Sequence, residues 1–318
     1  MIAQRALGGT GRTVSALGLG TWAMGGDEWG ASDDQQSLDV LRAAISEGVT
    51  LFDTADVYGF GHSEELVGEA VRPKDDALIV SKVGWDIYTE PRVVGGSRRV
   101  YERDYIESAF AESCRRLARS TIDIYLLHNP SAAEVAESEG LSTLRDIQAR
   151  GGAKWIGASV GSEEDARAVI EAGVDVVELP LNVVRNWACG ILPLARKHGT
   201  AVLAREPLER GLLTGKYATG QRFPEGDHRN DKGADWLNAG LEHAERVRQV
   251  AEQLDQSMSA TAIGYPLSYS EVASTLCGAR SVEQLRANVA AVGTTLSAEQ
   301  RSFLEAGRVD ATTDGAAR

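Results

Sequence analysis

One repeated unit constrains the fold of this chain most: a short apolar run followed by a longer amphipathic segment. The apolar runs lie at residues 17–20, 50–55, 77–83, 122–128, 153–159, 175–181, 201–206 and 272–278. Short runs without polar alternation are typical of parallel strands that are buried on both faces. Eight such units within 318 residues fit a closed barrel better than an open sheet. The pattern therefore predicts an α/β fold, a (β/α)8 TIM barrel.

The segments between the runs carry apolar residues at helical spacing. Helices are predicted from an N-cap at Ser32 to about Glu47, and then at 63–71, 104–118, 141–150, 163–173, 190–199, 282–292 and 298–306. A long loop is predicted from 207 to about Asn238, with two helices between it and the last strand. The residues RALGGTGRTVSAL are typical of an N-terminal β-hairpin that caps the barrel. We expect 1–306 to form a single domain and the polar tail 307–318 to be flexible.

The composition limits the partners and the chemistry. The net charge of −13 disfavours binding to nucleic acid and to anionic membranes. No apolar run reaches the roughly 20 residues of a membrane span, and the first residues lack the apolar core of a signal peptide. The three cysteines have no CxxC spacing and the five histidines are scattered, which indicates neither disulfides nor a metal site. We therefore expect a cytoplasmic protein without a metal ion.

Familiar nucleotide-binding and nucleophile motifs are missing from the sequence. GLGTWA at 18–23 has only the first two glycines of GxGxxG, and GLLTGKY at 211–217 lacks the spacing of a Walker A motif. A G-x-S-x-G nucleophile elbow is also absent. A nucleotide would therefore have to bind in a different way from that of a Rossmann fold.

Four polar residues follow apolar runs in three consecutive units. Asp53 ends the second predicted strand and Tyr58 follows it, Lys82 ends the third strand, and His128 ends the fourth. The catalytic groups of a TIM barrel gather at the carboxyl ends of its strands. Taken singly, each residue also fits a capping, packing or turn role. Their joint order and placement favour a common site.

The chemistry of this set is that of a proton donor. A tyrosine phenol has a pKa near 10 in water, and a neighbouring lysine cation lowers it. A buried lysine needs a carboxylate such as Asp53 to keep its charge, and a histidine can orient a carbonyl oxygen. Because the set contains no activated nucleophile, the substrate carbonyl must be attacked by another group, such as a hydride.

The sequence resembles the aldo-keto reductase family over nearly its whole length. The similar stretches are LGLGTW (17–22), FDTADVYG (52–59), SEELVG (63–68), SKVG (81–84), IDIYLLHNP (122–130), PLERGLLTGKY (207–217) and GARSVEQLRANV (278–289). The resemblance implies a barrel that reduces an aldehyde or ketone with NADPH. It also implies a catalytic tetrad of Asp53, Tyr58, Lys82 and His128. In that tetrad Tyr58 is the general acid, Lys82 and Asp53 tune it, and His128 orients the carbonyl.

The same resemblance implies a cofactor site along one side of the barrel mouth. The implied residues are Gly20, Thr21, Trp22, Ser159, Glu178, Arg205, Leu208, Gly211, Leu213, Lys216, Gly278, Arg280, Gln284 and Asn288. A guanidinium at Arg280 would suit the 2′-phosphate of NADPH or NADP+, which favours that cofactor over NADH.

Three positions depart from the common family pattern around the nicotinamide. Val160 stands where many relatives have Asn, Glu178 where many have Gln, and Arg205 where many have an aromatic residue. A guanidinium can stack on a ring, and its charge disfavours an oxidised, cationic nicotinamide. We hypothesise that Arg205 biases the enzyme towards reduction and that pairing with Glu178 weakens this bias. The alternative is that the pair only fills the space of the missing aromatic ring.

The predicted substrate is a small-molecule carbonyl compound that lies over Tyr58 and His128. The sequence leaves its identity open. The surrounding loops offer Trp22, Trp29, Trp85 and Asn129 as walls.

The sequence leaves open whether the protein is a monomer or a homo-oligomer. It also leaves three other functions open. One is a redox enzyme of a biosynthetic pathway that acts as a dehydrogenase or on a C=C bond. Another is a non-catalytic NADPH-binding sensor with the same fold, like the ion-channel β subunits. The third is an aldolase that uses Lys82 as a Schiff-base amine, against which Asp53 argues.

Overall fold

Eight parallel strands form a closed barrel, as predicted. The computed structural model describes residues 2–26, 29, 32–71, 76–94, 98–223 and 227–306. A hairpin of β1 (Gln4–Ala6) and β2 (Thr13–Ser15) precedes the barrel. The barrel strands are β3 (Leu17–Gly20), β4 (Leu51–Asp53), β5 (Leu78–Val83), β6 (Ile122–His128), β7 (Ala153–Ser159), β8 (Val176–Pro180), β9 (Ala201–Arg205) and β10 (Val272–Gly278). They pair in sequence order, and β10 pairs with β3 to close the barrel.

Helices surround the barrel on its outer face. Their bounds are α1 (Asp34–Ser46), α2 (His62–Ala70), α3 (Arg103–Arg116), α4 (Ala132–Glu137), α5 (Gly140–Ala149), α6 (Glu163–Glu171), α7 (Leu192–His198), α8 (Gly233–Leu254), α9 (Met258–Leu267), α10 (Val282–Ala290) and α11 (Ala298–Glu305). Short 3₁₀ turns follow β9, at Glu209–Thr214 and at His228–Lys232. The predicted tail at 307–318 lies outside the described residues.

Two apolar layers explain the stability of this arrangement. Inside the barrel, Leu51, Val80, Leu126 and Leu203 belong to one buried cluster, and Leu7 of the N-terminal segment joins it. The outward-facing strand residues pack against the helices in a second, larger cluster. Since the hairpin contributes to the inner cluster, it covers the floor of the barrel, as the sequence predicted.

Three local predictions need correction. Asp33, and not Ser32, caps α1, because its carboxylate accepts from the Gln36 amide at 2.8 Å while the Ser32 hydroxyl turns to the Met24 carbonyl at 3.3 Å. The helix α8 begins at Gly233, five residues before the predicted end of the loop.

The helix α4 was also missed. Its signal was present in the sequence: Ser131 and Glu134 form a capping box, in which each side chain binds the other residue's backbone amide.

Candidate active site

A single layer of side chains closes the top of the barrel interior. Alternate residues of a strand share a face, so the positions two residues after the inner apolar cluster also point inwards. Leu51, Val80 and Leu126 belong to that cluster. The same phase places one residue from every strand at the mouth of the barrel. These residues, called the mouth ring, are Gly20, Asp53, Lys82, His128, Ser159, Glu178, Arg205 and Gly278.

Lys82 is the centre of the ring's charges. It is fully buried, and its ammonium group donates to the carboxylate of Asp53 and to the carbonyl of Thr54, the latter at 3.0 Å. The Nζ atom also lies 3.6 Å from Oε2 of Glu178. Burial by itself lowers the pKa of Lys82, but the charges of Asp53 and Glu178 outweigh it and raise that pKa. Lys82 is therefore a cation held between two carboxylates.

Tyr58 lies beside this cation on the loop after β4. Lys82 Nζ is 5.2 Å from the centroid of the Tyr58 ring, and the His128 ring meets the Tyr58 ring edge-on with centroids 6.0 Å apart. Burial raises the pKa of Tyr58, and Lys82 offsets that rise only in part. The net shift is thus the opposite of the expected lowering, and the phenol is protonated at neutral pH. Burial, with Lys82 and Arg205, holds the pKa of His128 well below its usual range, so its imidazole is neutral.

Glu178 connects the tetrad to the opposite side of the ring. Its Oε1 accepts from the Ser159 hydroxyl at 2.8 Å and lies 3.8 Å from Nε of Arg205. Its Oε2 is buried and accepts no hydrogen bond from the described residues. The pairing of Glu178 with Arg205 that the sequence suggested is present as an ion pair without a hydrogen bond.

Arg205 makes its shorter contacts elsewhere. Its guanidinium donates to Glu206 and, at 3.3 Å, to the carbonyl of Val160. Glu206 also accepts from Arg210 at 2.9 Å and is paired with Arg185. Although burial alone raises the pKa of Glu206, these three arginines hold it well below its usual range.

Aromatic side chains form one wall above the ring. The Trp22 ring stacks on Tyr58 with centroids 6.1 Å apart, and Trp29 meets Trp22 edge-on at 5.3 Å. His228 packs against both tryptophans, at 4.9 and 4.4 Å. Trp85 packs in the small apolar cluster that Tyr58 joins. These contacts bring three of the four predicted substrate residues around Tyr58.

Asn129, the fourth, follows His128 with a positive φ of 58°. Its Oδ1 is buried without a hydrogen bond among the described residues, and its carbonyl accepts from Arg99 at 3.1 Å.

The remaining predicted cofactor residues lie on two segments at the rim. Leu208 precedes the 3₁₀ turn that contains Gly211 (φ 93°) and the buried Leu213, and Lys216 follows that turn. Just before α10, the backbone N–H of Arg280 donates to the side-chain oxygen of Gln284 at 2.8 Å. Further along α10, the side-chain amide of Asn288 donates to the carbonyl of Gly278 at 3.1 Å.

The side chain of Arg280 crosses to the loop after β3. Its guanidinium donates to the carbonyl of Trp29 at 3.3 Å. Thr21 is buried in that loop and hydrogen-bonds Ser63 at 2.7 Å. The residue before α10 is thus connected to the loop after β3 across the wall of the barrel mouth.

Sequence reasoning missed two groups at the site. One is the charged set of Arg185, Glu206 and Arg210, which the run REPLER hinted at. The other is the pair of His228 and Arg229 in the loop after β9. Arg229 lies 5.1 Å from the Trp29 ring and donates to the Tyr217 hydroxyl at 2.5 Å. Glu206 ends the apolar run at 201–206, but Arg210, His228 and Arg229 lie in the predicted loop, and no periodicity links Glu206 to Arg185.

Comparison with known proteins now decides the family. The model of the Aldo/keto reductase family matches residues 16–306. The chain belongs to the aldo/keto reductase family. It is similar to the Aldo-keto reductase YhdN of Bacillus subtilis, at 31% identity over 92% of this chain and 89% of that protein.

Two further relatives carry more specific names. One is the NADH-specific methylglyoxal reductase of Escherichia coli, 31% identical over 92% of this chain and 94% of that one. The other is the solved structure of a glycerol dehydrogenase from Gluconobacter oxydans, 30% identical with a TM-score of 0.80, over 99% of this chain and 97% of that one. This aldo/keto reductase is therefore an oxidoreductase, and its relatives include proteins named for either direction of carbonyl–alcohol chemistry.

Within the described ranges, none of the helices has the length and apolarity that crossing a membrane requires. In the same part of the chain, histidine, cysteine and acidic side chains form no group that could hold a metal ion.

Proposed function

We propose that this aldo/keto reductase reduces a small aldehyde or ketone to an alcohol by hydride transfer from NADPH. The observation that carries the proposal is the buried Lys82–Asp53 ion pair beside Tyr58 in the mouth ring. The tetrad residues Asp53, Tyr58 and Lys82 thus lie together with His128 at the carboxyl ends of adjacent strands. This arrangement provides a proton for a carbonyl oxygen.

The residues of the ring fit a nicotinamide dinucleotide. Oε2 of Glu178 is a buried acceptor without a hydrogen bond among the described residues, and it suits the amide NH2 of a carboxamide. Gly20 and Gly278 are neighbours in register, and a Cβ on either would meet nothing nearer than 3.7 Å. The two glycines thus leave space in the mouth ring where β10 and β3 meet. Leu208, Gly211, Leu213 and Lys216 would hold the pyrophosphate, and Arg280, Gln284 and Asn288 the adenosine end.

When bound, the cofactor supplies the hydride, and the protein supplies the proton. Tyr58 donates its hydroxyl proton to the carbonyl oxygen as negative charge develops there. Lys82 stabilises the resulting phenolate, and Asp53 keeps Lys82 fixed in place. The neutral imidazole of His128 donates a hydrogen bond that orients the carbonyl. Trp22 and Trp29 would form the apolar wall for the substrate, with Trp85 and Asn129 at its other edge.

Arg280 supports NADPH over NADH. Its guanidinium is exposed at the rim, where α10 begins, and a planar guanidinium pairs well with a phosphate. One relative, from E. coli, is named as NADH-specific, so family membership by itself does not fix the cofactor. We further propose a cytoplasmic setting, because all three cysteines are free thiols.

A second candidate is the reverse reaction, alcohol oxidation by NADP+. The carboxylate of Glu178 favours it, because a negative charge stabilises a cationic nicotinamide ring. The glycerol dehydrogenase among the relatives is named for that direction.

The test is a titration with NADPH and then NADH, followed by quenching of tryptophan fluorescence. We expect NADPH to bind at least about tenfold more tightly, because a charge-assisted hydrogen bond contributes about 1.5–3 kcal/mol. Arg280→Ala removes this preference, while replacement of Arg286, an exposed arginine of α10, in Arg286→Ala leaves it unchanged. Equal affinities in the wild type would exclude the 2′-phosphate argument, and binding of neither nucleotide would exclude the proposed function.

A panel of carbonyl compounds then compares the wild type with Tyr58→Phe. Loss of the phenol proton should lower kcat/KM by about 10²–10⁴-fold while NADPH still binds. Full activity of Tyr58→Phe would contradict the role of Tyr58.

A further inference from the structure

Glu178 occupies an unusual place for a residue at the nicotinamide end. It belongs to β8, yet its Oε2 lies 3.6 Å from Nζ of Lys82 on β5, on the far side of the barrel. Glu178 is 1% exposed and Lys82 is fully buried. A buried carboxylate oxygen without a hydrogen bond is costly, and a nearby cation compensates for it. Among the described residues, Oε2 of Glu178 is buried and accepts no hydrogen bond.

The ammonium group of Lys82 thus faces two carboxylates. Asp53 accepts its hydrogen bond, and Glu178 lies within ion-pair distance of it. The nearest further cation, Arg205, is divided between Glu178 at 3.8 Å and Glu206. The charged and titratable groups that face Tyr58 from the surrounding elements are Asp53, Lys82, His128, Glu178 and Arg205.

We propose that Glu178 is a positioning residue for the reaction and the second carboxylate of Lys82, which joins the proton-donor side of the ring to the nicotinamide side. The proposal rests on the proposed function, since it concerns the charge that Tyr58 and a bound nicotinamide experience. A glutamine here could bind a carboxamide but could not pair with Lys82. The carboxylate does both.

Burial and a second carboxylate beside Lys82 both oppose the ionisation of Asp53. Burial and the charge of Glu178 raise the pKa of Asp53 to about 8, even though Lys82 opposes that rise. As the pH increases through this value, Asp53 loses its proton and the mouth ring gains one negative charge. That charge favours the cationic ring of NADP+ over the neutral ring of NADPH. Without Glu178, Lys82 and Asp53 balance each other and the step disappears.

The experiment measures the dissociation constants of NADP+ and NADPH for the full chain between pH 6.5 and 9, by tryptophan fluorescence. In the wild type, the affinity for NADP+ relative to NADPH should rise by about tenfold over this range, because a charge within about 6 Å shifts such equilibria by about one unit. In Glu178→Gln the ratio should stay constant. Gln retains an acceptor for the Ser159 hydroxyl, so the variant should fold. Glu245→Gln, an exposed glutamate of α8, is the charge-matched control and should behave like the wild type.

Asp53→Asn is a second variant that tests the proposal, because it removes the other carboxylate beside Lys82. It should also abolish the pH-dependent step in the binding ratio. An equal step in wild type, Glu178→Gln and Asp53→Asn would overturn the proposal.

The two proposals fail in different ways. If the wild type binds nucleotides with a pH-dependent ratio that Glu178→Gln removes, the role of Glu178 stands even where Tyr58→Phe keeps full activity. If Tyr58→Phe is inactive but Glu178→Gln retains the step, only the role of Glu178 is lost. Binding of neither nucleotide by the wild type would overturn both.

Discussion

The two sides of the mouth ring carry charge in different ways. On the proton-donor side, formed by β4 to β6, the ammonium group of Lys82 donates a hydrogen bond to the buried carboxylate of Asp53 beside Tyr58. On the charged side, formed by β7 to β9, Glu178 and Arg205 meet without a hydrogen bond, and Arg205 is satisfied mainly by Glu206. The first side keeps the residues that the family resemblance implies, and the second departs from them. The proton-donor side thus keeps the residues of the family. The charged side has Glu178 and Arg205 where many relatives have uncharged residues, and Glu206 pairs with Arg205.

Lys82→Met should have the largest effect, since Lys82 contacts both sides. We expect kcat/KM to fall by about 10²–10⁴-fold, because Tyr58 loses the cation that stabilises its phenolate. The free energy of unfolding should fall by about 3–5 kcal/mol, because two buried carboxylates lose their cation.

The pH dependence of this loss has a definite sign. Without Lys82 the pKa of Asp53 rises further, and a raised folded pKa gives stability that is lost as the pH increases. Urea unfolding of Lys82→Met should therefore show a larger deficit at pH 9 than at pH 6. A deficit that is independent of pH would argue that Lys82 contributes packing alone.

Glu206→Gln tests the charged side separately. It leaves Arg185, Arg205 and Arg210 around a neutral amide, and we expect a loss of about 3 kcal/mol in the free energy of unfolding at pH 7. Because the pKa of Glu206 is depressed, its contribution is present above about pH 4.5 and is lost as the pH falls through the folded value.

The measurement is denaturant unfolding at pH 7 and at pH 4 or below. The difference between the wild type and Glu206→Gln should shrink at the lower pH. Glu245→Gln, whose partner Arg248 is exposed, should leave the free energy of unfolding nearly unchanged. An equal loss in both variants would show that the buried cluster has no special role.

Arg205→Ala should have the smallest effect and compares the two redox states of the cofactor. Arg205 disfavours a cationic ring, and Glu178 at 3.8 Å weakens this influence. We therefore expect Arg205→Ala to weaken NADPH binding about threefold more than NADP+ binding, a difference of under about 1 kcal/mol. Arg205→Met, which keeps an apolar side chain near the ring, separates loss of charge from loss of contact. Equal weakening of both nucleotides by Arg205→Ala would leave the pair as a space-filling replacement for an aromatic residue.

Much of this site could be predicted before the structure. The apolar runs set the phase of each strand, and polar residues in the inward phase at the strand ends mark the mouth ring. Asp53, Lys82, His128 and Glu178 were all selected in this way or through the family resemblance. Local errors arose where two residues competed for one role, as Ser32 and Asp33 did for the cap of α1.

Periodicity and motif content by themselves therefore determined the barrel, its hairpin cap and the residues that face its mouth. The tertiary structure alone decided which of those residues meet. Lys82 and Glu178 are on β5 and β8, which are not hydrogen-bonded neighbours, and they come within 3.6 Å only across the closed barrel. The physical reason is that strand pattern fixes the direction of a side chain, whereas closure of the sheet fixes the distance between side chains from opposite strands.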